Sequence, residues 1–122
     1  MTETFRSDRT FRVWHYTATH GDRLLLRATV ERGKPRVDLH VAGVRGVLLE
    51  SRYDGIVIRE GTPDQRQEIG SFFGIVIDEM VNVHIIGEDR MTGFIVGGPL
   101  RWHEDEGSFI DPSHFGFIPG TL

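Results

Sequence analysis

The chain has 122 residues, 39% of them hydrophobic and 26% charged, with a formal net charge of −4 and no cysteine. These proportions belong to a globular protein with enough chain for an ordinary core, and they exclude disordered, collagenous and disulfide-stapled classes. The lack of cysteine removes thiolate metal sites and cysteine nucleophiles, and no apolar run approaches the ~18 residues of a membrane-spanning helix.

The segment Met1 to Arg9 is polar and carries both charge signs, without the apolar stretch and small-residue cleavage site of a secretory signal, so a cytoplasmic location is expected. Phe11 to Thr19 reads as a first strand, with Trp14, Tyr16 and Ala18 on one face and Val13, His15 and Thr17 on the other. His20-Gly21-Asp22 supplies a turn. Arg23 to Val30 returns with Leu24, Leu26, Ala28 and Val30 alternating against Arg23, Arg27 and Thr29, which predicts a hairpin. After a second turn over Glu31 to Pro35, the strand Arg36 to Ala42 buries Val37, Leu39 and Val41. Arg23, Arg27 and Arg36 then belong to the solvated side of the sheet. Gly43 and Gly46 bracket a bend before Val47-Leu48-Leu49. Tyr53-Asp54-Gly55 predicts a further turn and Ile56-Val57-Ile58 a further strand, and the order so far predicts a meander.

Thr62 can cap a helix, Pro63 suits its first position and Gly70 can stop it, which predicts at most one short helix near 62–70. Four more strands follow at Phe72 to Asp78, Met80 to Ile86, Gly93 to Val96 and Leu100 to His103. Glu104-Asp105-Glu106-Gly107 then reads as an acidic turn and Phe109 to Gly120 as an extended apolar segment. The count is eight to nine short strands in a single β domain over residues 1–122. The fold class is therefore all-β, an antiparallel β-sandwich or a partly open β-barrel. Charge divides unevenly: residues 1–66 carry +3 and residues 67–122 carry −7, so the molecule is expected to be electrically bipolar if the two halves stay apart.

The chain offers one constellation with metal chemistry. Asn82-Val83-His84-Ile85-Ile86-Gly87-Glu88 is followed by Gly93, Pro99 and His103, and an imidazole and a carboxylate on neighbouring strands can share a cavity. The spacing resembles the two metal-binding motifs of cupins, and the resemblance implies His84, Glu88 and His103 as ligands of a divalent metal. It departs from that pattern at Asn82, where a histidine is expected, and in the short gap between motifs, so the cupin activity is not carried across. Trp14, His15, Tyr16 and Trp102 are the candidate ligand-binding residues, because an aromatic strand with a histidine suits the lining of a pocket. No serine sits in a nucleophile elbow, and Gly93 to Gly98 lacks the lysine and helix of a phosphate loop, so no catalytic residue is assigned.

The function expected is a non-enzymatic binding or protein-interaction module, with a protein partner or self-association into a homo-oligomer. The alternative is a cupin-like β-barrel, a metal- or small-ligand-binding protein or enzyme with a cavity lined by Trp14, His15, Tyr16, His84, Trp102 and His103. A divalent metal is a cofactor of that alternative alone. The acidity of the whole chain disfavours nucleic acid, and no membrane partner is expected.

Overall fold

A computed structural model describes residues 2–17, 21–108 and 110–115. Its elements are β1 (Glu3–Thr17), β2 (Arg23–Ala28), β3 (Arg36–Val41), β4 (Gly46–Leu48), β5 (Arg52–Glu60), α1 (Pro63–Phe73), β6 (Asn82–Ile86), β7 (Gly93–Gly97) and β8 (Arg101–Asp105). The strands form one eight-stranded sheet in the order β4-β7-β6-β5-β1-β2-β3-β8, antiparallel at every pairing. The protein is thus all-β with one short helix, and β4 and β8 are the edges of an unclosed sheet.

Long β1 is the spine of the sheet. Its first half pairs with β5 and its second half with β2. The sheet curls around a concave core in which Phe11, Leu24, Leu39 and Val41 meet Tyr53, Ile58, Ile86 and Ile95 in one cluster. Residues from opposite ends of the strand order can share a cluster only if the sheet rolls toward itself. Two backbone hydrogen bonds hold that approach: Gly98 N donates to Ala42 O at 2.9 Å and Arg45 N donates to Val96 O at 2.7 Å. Gly97 permits it, since a Cβ there would stand 3.0 Å from Val44 Cα and 3.1 Å from Gly43 O. The β2–β3 hairpin follows the alternation in the sequence and closes at Arg32-Gly33. Both have positive φ, as a type I′ turn requires.

The structure corrects several sequence expectations. No strand is expected before Phe11, yet β1 begins at Glu3 because Phe5 pairs with Ile58 and packs against the core, which outweighs the polarity of its neighbours. A register shift between Val13 and His15 marks a β-bulge. The extra residue reverses the alternation beyond it, so Trp14 and His15 both lie on the convex face while Val13 and Tyr16, opposite Leu26 and Leu24, lie on the concave side. The meander is broken, because β5 returns beside β1 and β4 pairs with β7. Tyr53-Asp54-Gly55 lies inside β5, and Glu104 and Asp105 lie inside β8.

The strand expected at Phe72 to Asp78 does not form. The helix runs past Gly70 to Phe73, since the chain turns back only at Gly74, whose φ of 69° supplies the left-handed cap. The N–H groups of Ile75 and Gly74 then return to the carbonyls of Gly70 and Ser71. Ala18, Thr19, His20, Phe109 and residues 116–120, on which parts of the expected first turn and the C-terminal segment fall, lie outside the described residues.

Candidate functional site

The convex face of the sheet is covered in two ways. Over β6 and β7, α1 lays Ile69 and Phe73 on Val83, Ile85, Phe94 and Val96. Over β2, β3 and β8 the outward side chains are mostly charged or imidazole, with Leu25 buried among them. Arg27 donates to both oxygens of Asp38 at 2.7 and 3.0 Å, with the two side chains 0% and 2% exposed. Its guanidinium carbon sits 5.3 Å from the Trp14 ring centroid. Beside it, Arg36 grips the Asp105 carboxylate at 2.7 and 2.6 Å and donates to the carbonyls of Ser108, Asp111 and Pro112. The hydrogen bond from Arg36 holds the Asp105 carboxyl below the usual aspartate range. Arg27 and Arg36 are therefore buried rather than solvated, because carboxylates and a strap of chain after β8 satisfy their donors.

The expected ligand-binding residues do not converge. Trp14 and His15 face outward at the bulge, with Trp14 over Arg27 and His15 opposite Leu25. Tyr16 is on the other face, exposed, opposite Leu24. Trp102 is paired with Leu39 and tilted against Phe5 at a centroid distance of 5.2 Å.

The expected metal ligands are also held apart. His84 is buried in β6, where its Nε2 donates to the Gly98 carbonyl at 2.8 Å and burial pulls its pKa below the ordinary histidine value. Its Nδ1 is buried without a hydrogen-bond partner among the described residues. Glu88 is exposed beyond the far end of β6, and its ion pair with Arg6 lowers the pKa of its carboxyl. His103 faces outward opposite Asp38, with its ring stacked 3.8 Å from that of His114. Among the described residues, no group of three or more His, Asp or Glu is placed to hold a metal ion.

A feature with no local motif in the sequence lies at the rim of the helical cover. Leu48 of β4, Ile69 and Phe72 of α1, Met91 and Phe94 line a groove of about 400 Å³, flanked by Gln65 and Glu68. Leu48, Phe72 and Met91 are 52%, 77% and 45% exposed. Single exposed apolar residues are ordinary, whereas several around one concavity mark an interaction surface. The Phe72 ring meets Phe73 edge-on at 5.3 Å and Phe73 meets Phe94 at 5.7 Å, so the exposed ring is continuous with the buried ones. The helix positions it: ending at Gly70, the chain would have carried neither phenylalanine to this face. The signal was the interval from Ile69 to Phe72 and Phe73, which is helical spacing.

Comparison of the chain with protein-family models, with curated proteins and with solved structures finds no match. No helix among the described residues is long and apolar enough to cross a membrane.

Proposed function

We propose that the protein is a protein-interaction module that takes an amphipathic partner segment, apolar with a basic flank, in the groove between α1, β4 and β7. The observation that carries this reading is the exposure of Leu48, Phe72 and Met91 around one concavity. Burying that much apolar surface requires apolar side chains from the partner, at roughly 25 cal/mol for each Å² removed from water. The charge at the groove comes from Glu68, and the only other polar residue lining it among the described residues is neutral Gln65. A lysine or arginine of the partner satisfies that carboxylate, whereas an acidic flank is repelled by it.

The test is selection of peptides from a random displayed library against the immobilised full chain. The enriched peptides are expected to combine apolar residues with Lys or Arg, and Phe72→Glu is expected to weaken them tenfold or more, about 1.4 kcal/mol. Because Phe72 is mostly outside the core, an unchanged melting temperature verifies that this variant folds. Glu68→Lys is expected to shift the selection toward acidic flanks. Peptides that bind the Phe72→Glu protein equally well overturn the reading. Concentration-dependent dimerisation abolished by Phe72→Glu overturns the choice of partner in favour of a second copy of the chain.

A further inference from the structure

β4 is an open edge with an apolar concavity on each of its faces. The strand is three residues long and pairs only with β7, and the backbone groups along its other side make no hydrogen bond among the described residues. Its side chains alternate between the two faces of the sheet: Leu48, opposite Phe94, turns to the helical side, and Val47, opposite Ile95, packs against the concave core. On the helical side lies the groove of Phe72 and Met91. On the concave side Val13, Tyr16, Val47 and Leu49 line a second concavity of about 540 Å³. Val13 and Tyr16 are 36% and 44% exposed, so this wall too is apolar and open to solvent. Leu48 lines both concavities, which therefore meet at the β4 edge.

We propose that the partner segment binds as an added strand on the open edge of β4, with successive apolar side chains entering the two concavities in turn. The inference rests on the groove reading and extends it to the partner's conformation and sequence pattern. A helix presents its apolar residues on one face and would fill one concavity only. An extended segment sends neighbouring side chains to opposite faces and fills both, while its main chain satisfies the donors and acceptors that β4 leaves open. Because β4 has only three residues, the ladder is short and the side chains in the two concavities decide which segments bind. Glu68 lies on the groove side, so the partner's Lys or Arg stands two positions from a groove-facing apolar residue rather than beside it.

The probe is the most enriched peptide of the displayed library, synthesised with one backbone N-methyl group at a time and titrated against the full chain. Each methyl group removes one main-chain donor and needs no change to the protein. Methylation at alternate positions of the apolar run is expected to weaken binding roughly tenfold or more, with the intervening positions tolerant. Tyr16→Glu is expected to weaken the unmodified peptide by about tenfold, and Val76→Glu, at an exposed apolar residue outside both concavities, to leave it unchanged. A uniform response to N-methylation, or wild-type binding to Tyr16→Glu, while Phe72→Glu still weakens the peptide, overturns strand addition and leaves the groove reading intact. Peptides indifferent to Phe72→Glu overturn both.

Discussion

The two halves of the convex face meet the same requirement by opposite means. On β6 and β7 an amphipathic helix covers apolar side chains with apolar side chains, and the cover needs no directional partner for any of them. On β2, β3 and β8 the sheet presents Arg27, Arg36 and Asp38, each buried. The apolar cover tolerates small displacements, because burial is roughly proportional to area. The ionic cover does not, since each charge taken from water depends on the geometry of its partner. The difference also accounts for the surface at the margin of the apolar cover, where the helix ends in an apolar groove.

The largest effect should come from breaking the ionic half. Asp38→Ala leaves the Arg27 guanidinium buried without its carboxylate and is expected to cost about 3–5 kcal/mol in urea unfolding. Replacing both partners, Arg27→Met with Asp38→Leu, should recover most of that loss, because neither charge then remains to be desolvated. Ile69→Ala on the apolar half removes a buried side chain beneath α1 and is expected to cost about 2–4 kcal/mol. No second substitution of comparable simplicity restores it, because the defect there is missing volume. If the Asp38 single variant unfolds no more easily than the double variant, the distinction between the two covers is lost.

That distinction was only half legible in the sequence. The alternation of Val37, Leu39 and Val41 against their neighbours placed the concave core correctly, since one face of β3 is apolar and a strand has a period of two. Thr62 and Pro63 also marked the start of α1, because capping is local chemistry. The other face of the same strand was misread. A charged residue opposite a strand's core face is ordinarily solvated, and Arg36 is buried because Asp105, 69 positions later, and the carbonyls that follow it reach its donors. The aromatic cluster at Trp14 to Tyr16 failed for a different reason, as one inserted residue at a bulge reverses every side chain after it. The groove carries no local motif, because it depends on where α1 ends.

His40 gives a smaller effect that belongs to the charged half alone. In the unfolded chain its imidazole protonates near the ordinary value of about 6.5, whereas in the fold burial, Arg23 and Arg101 lower that to about 4 against the opposing pull of Asp38. Between those values the unfolded state holds one more proton. Stability is therefore lost as pH falls from about 6.5, and the loss is complete below about 4. After allowance for solvent reaching the ring, this is expected to amount to about 1–2 kcal/mol. Asp105, with its pKa lowered by Arg36, loses its contribution at lower pH, below the ordinary aspartate value. Urea midpoints measured across this range should fall in two stages, and His40→Gln should reduce the upper stage, to which buried His84 also contributes, while leaving the lower stage unchanged. A profile unchanged by His40→Gln would mean that neither burial nor the two arginines lower the pKa of this ring.

The smallest effect tests whether the apolar cover and its groove are one unit. Thr62 caps α1 with a reciprocal pair: Gln65 N donates to Thr62 Oγ1 at 3.2 Å and Thr62 N donates to Gln65 Oε1 at 2.9 Å. Thr62→Ala removes the side-chain acceptor and is expected to cost about 1 kcal/mol, with Thr62→Ser close to neutral. The damage should stay in the first turn. Phe72 stands ten residues away at the other end of the helix, where the return of Ile75 and Gly74 to Gly70 and Ser71 closes the last turn independently of the cap. Hydrogen exchange in Thr62→Ala should therefore rise at Gln65 and Arg66 while the amides of Gly74 and Ile75 keep their protection. Binding of groove-selected peptides should also remain at the wild-type level. Coordinated loss at both ends would show instead that α1 forms and frays as a whole, so that the groove exists only as firmly as its most distant cap.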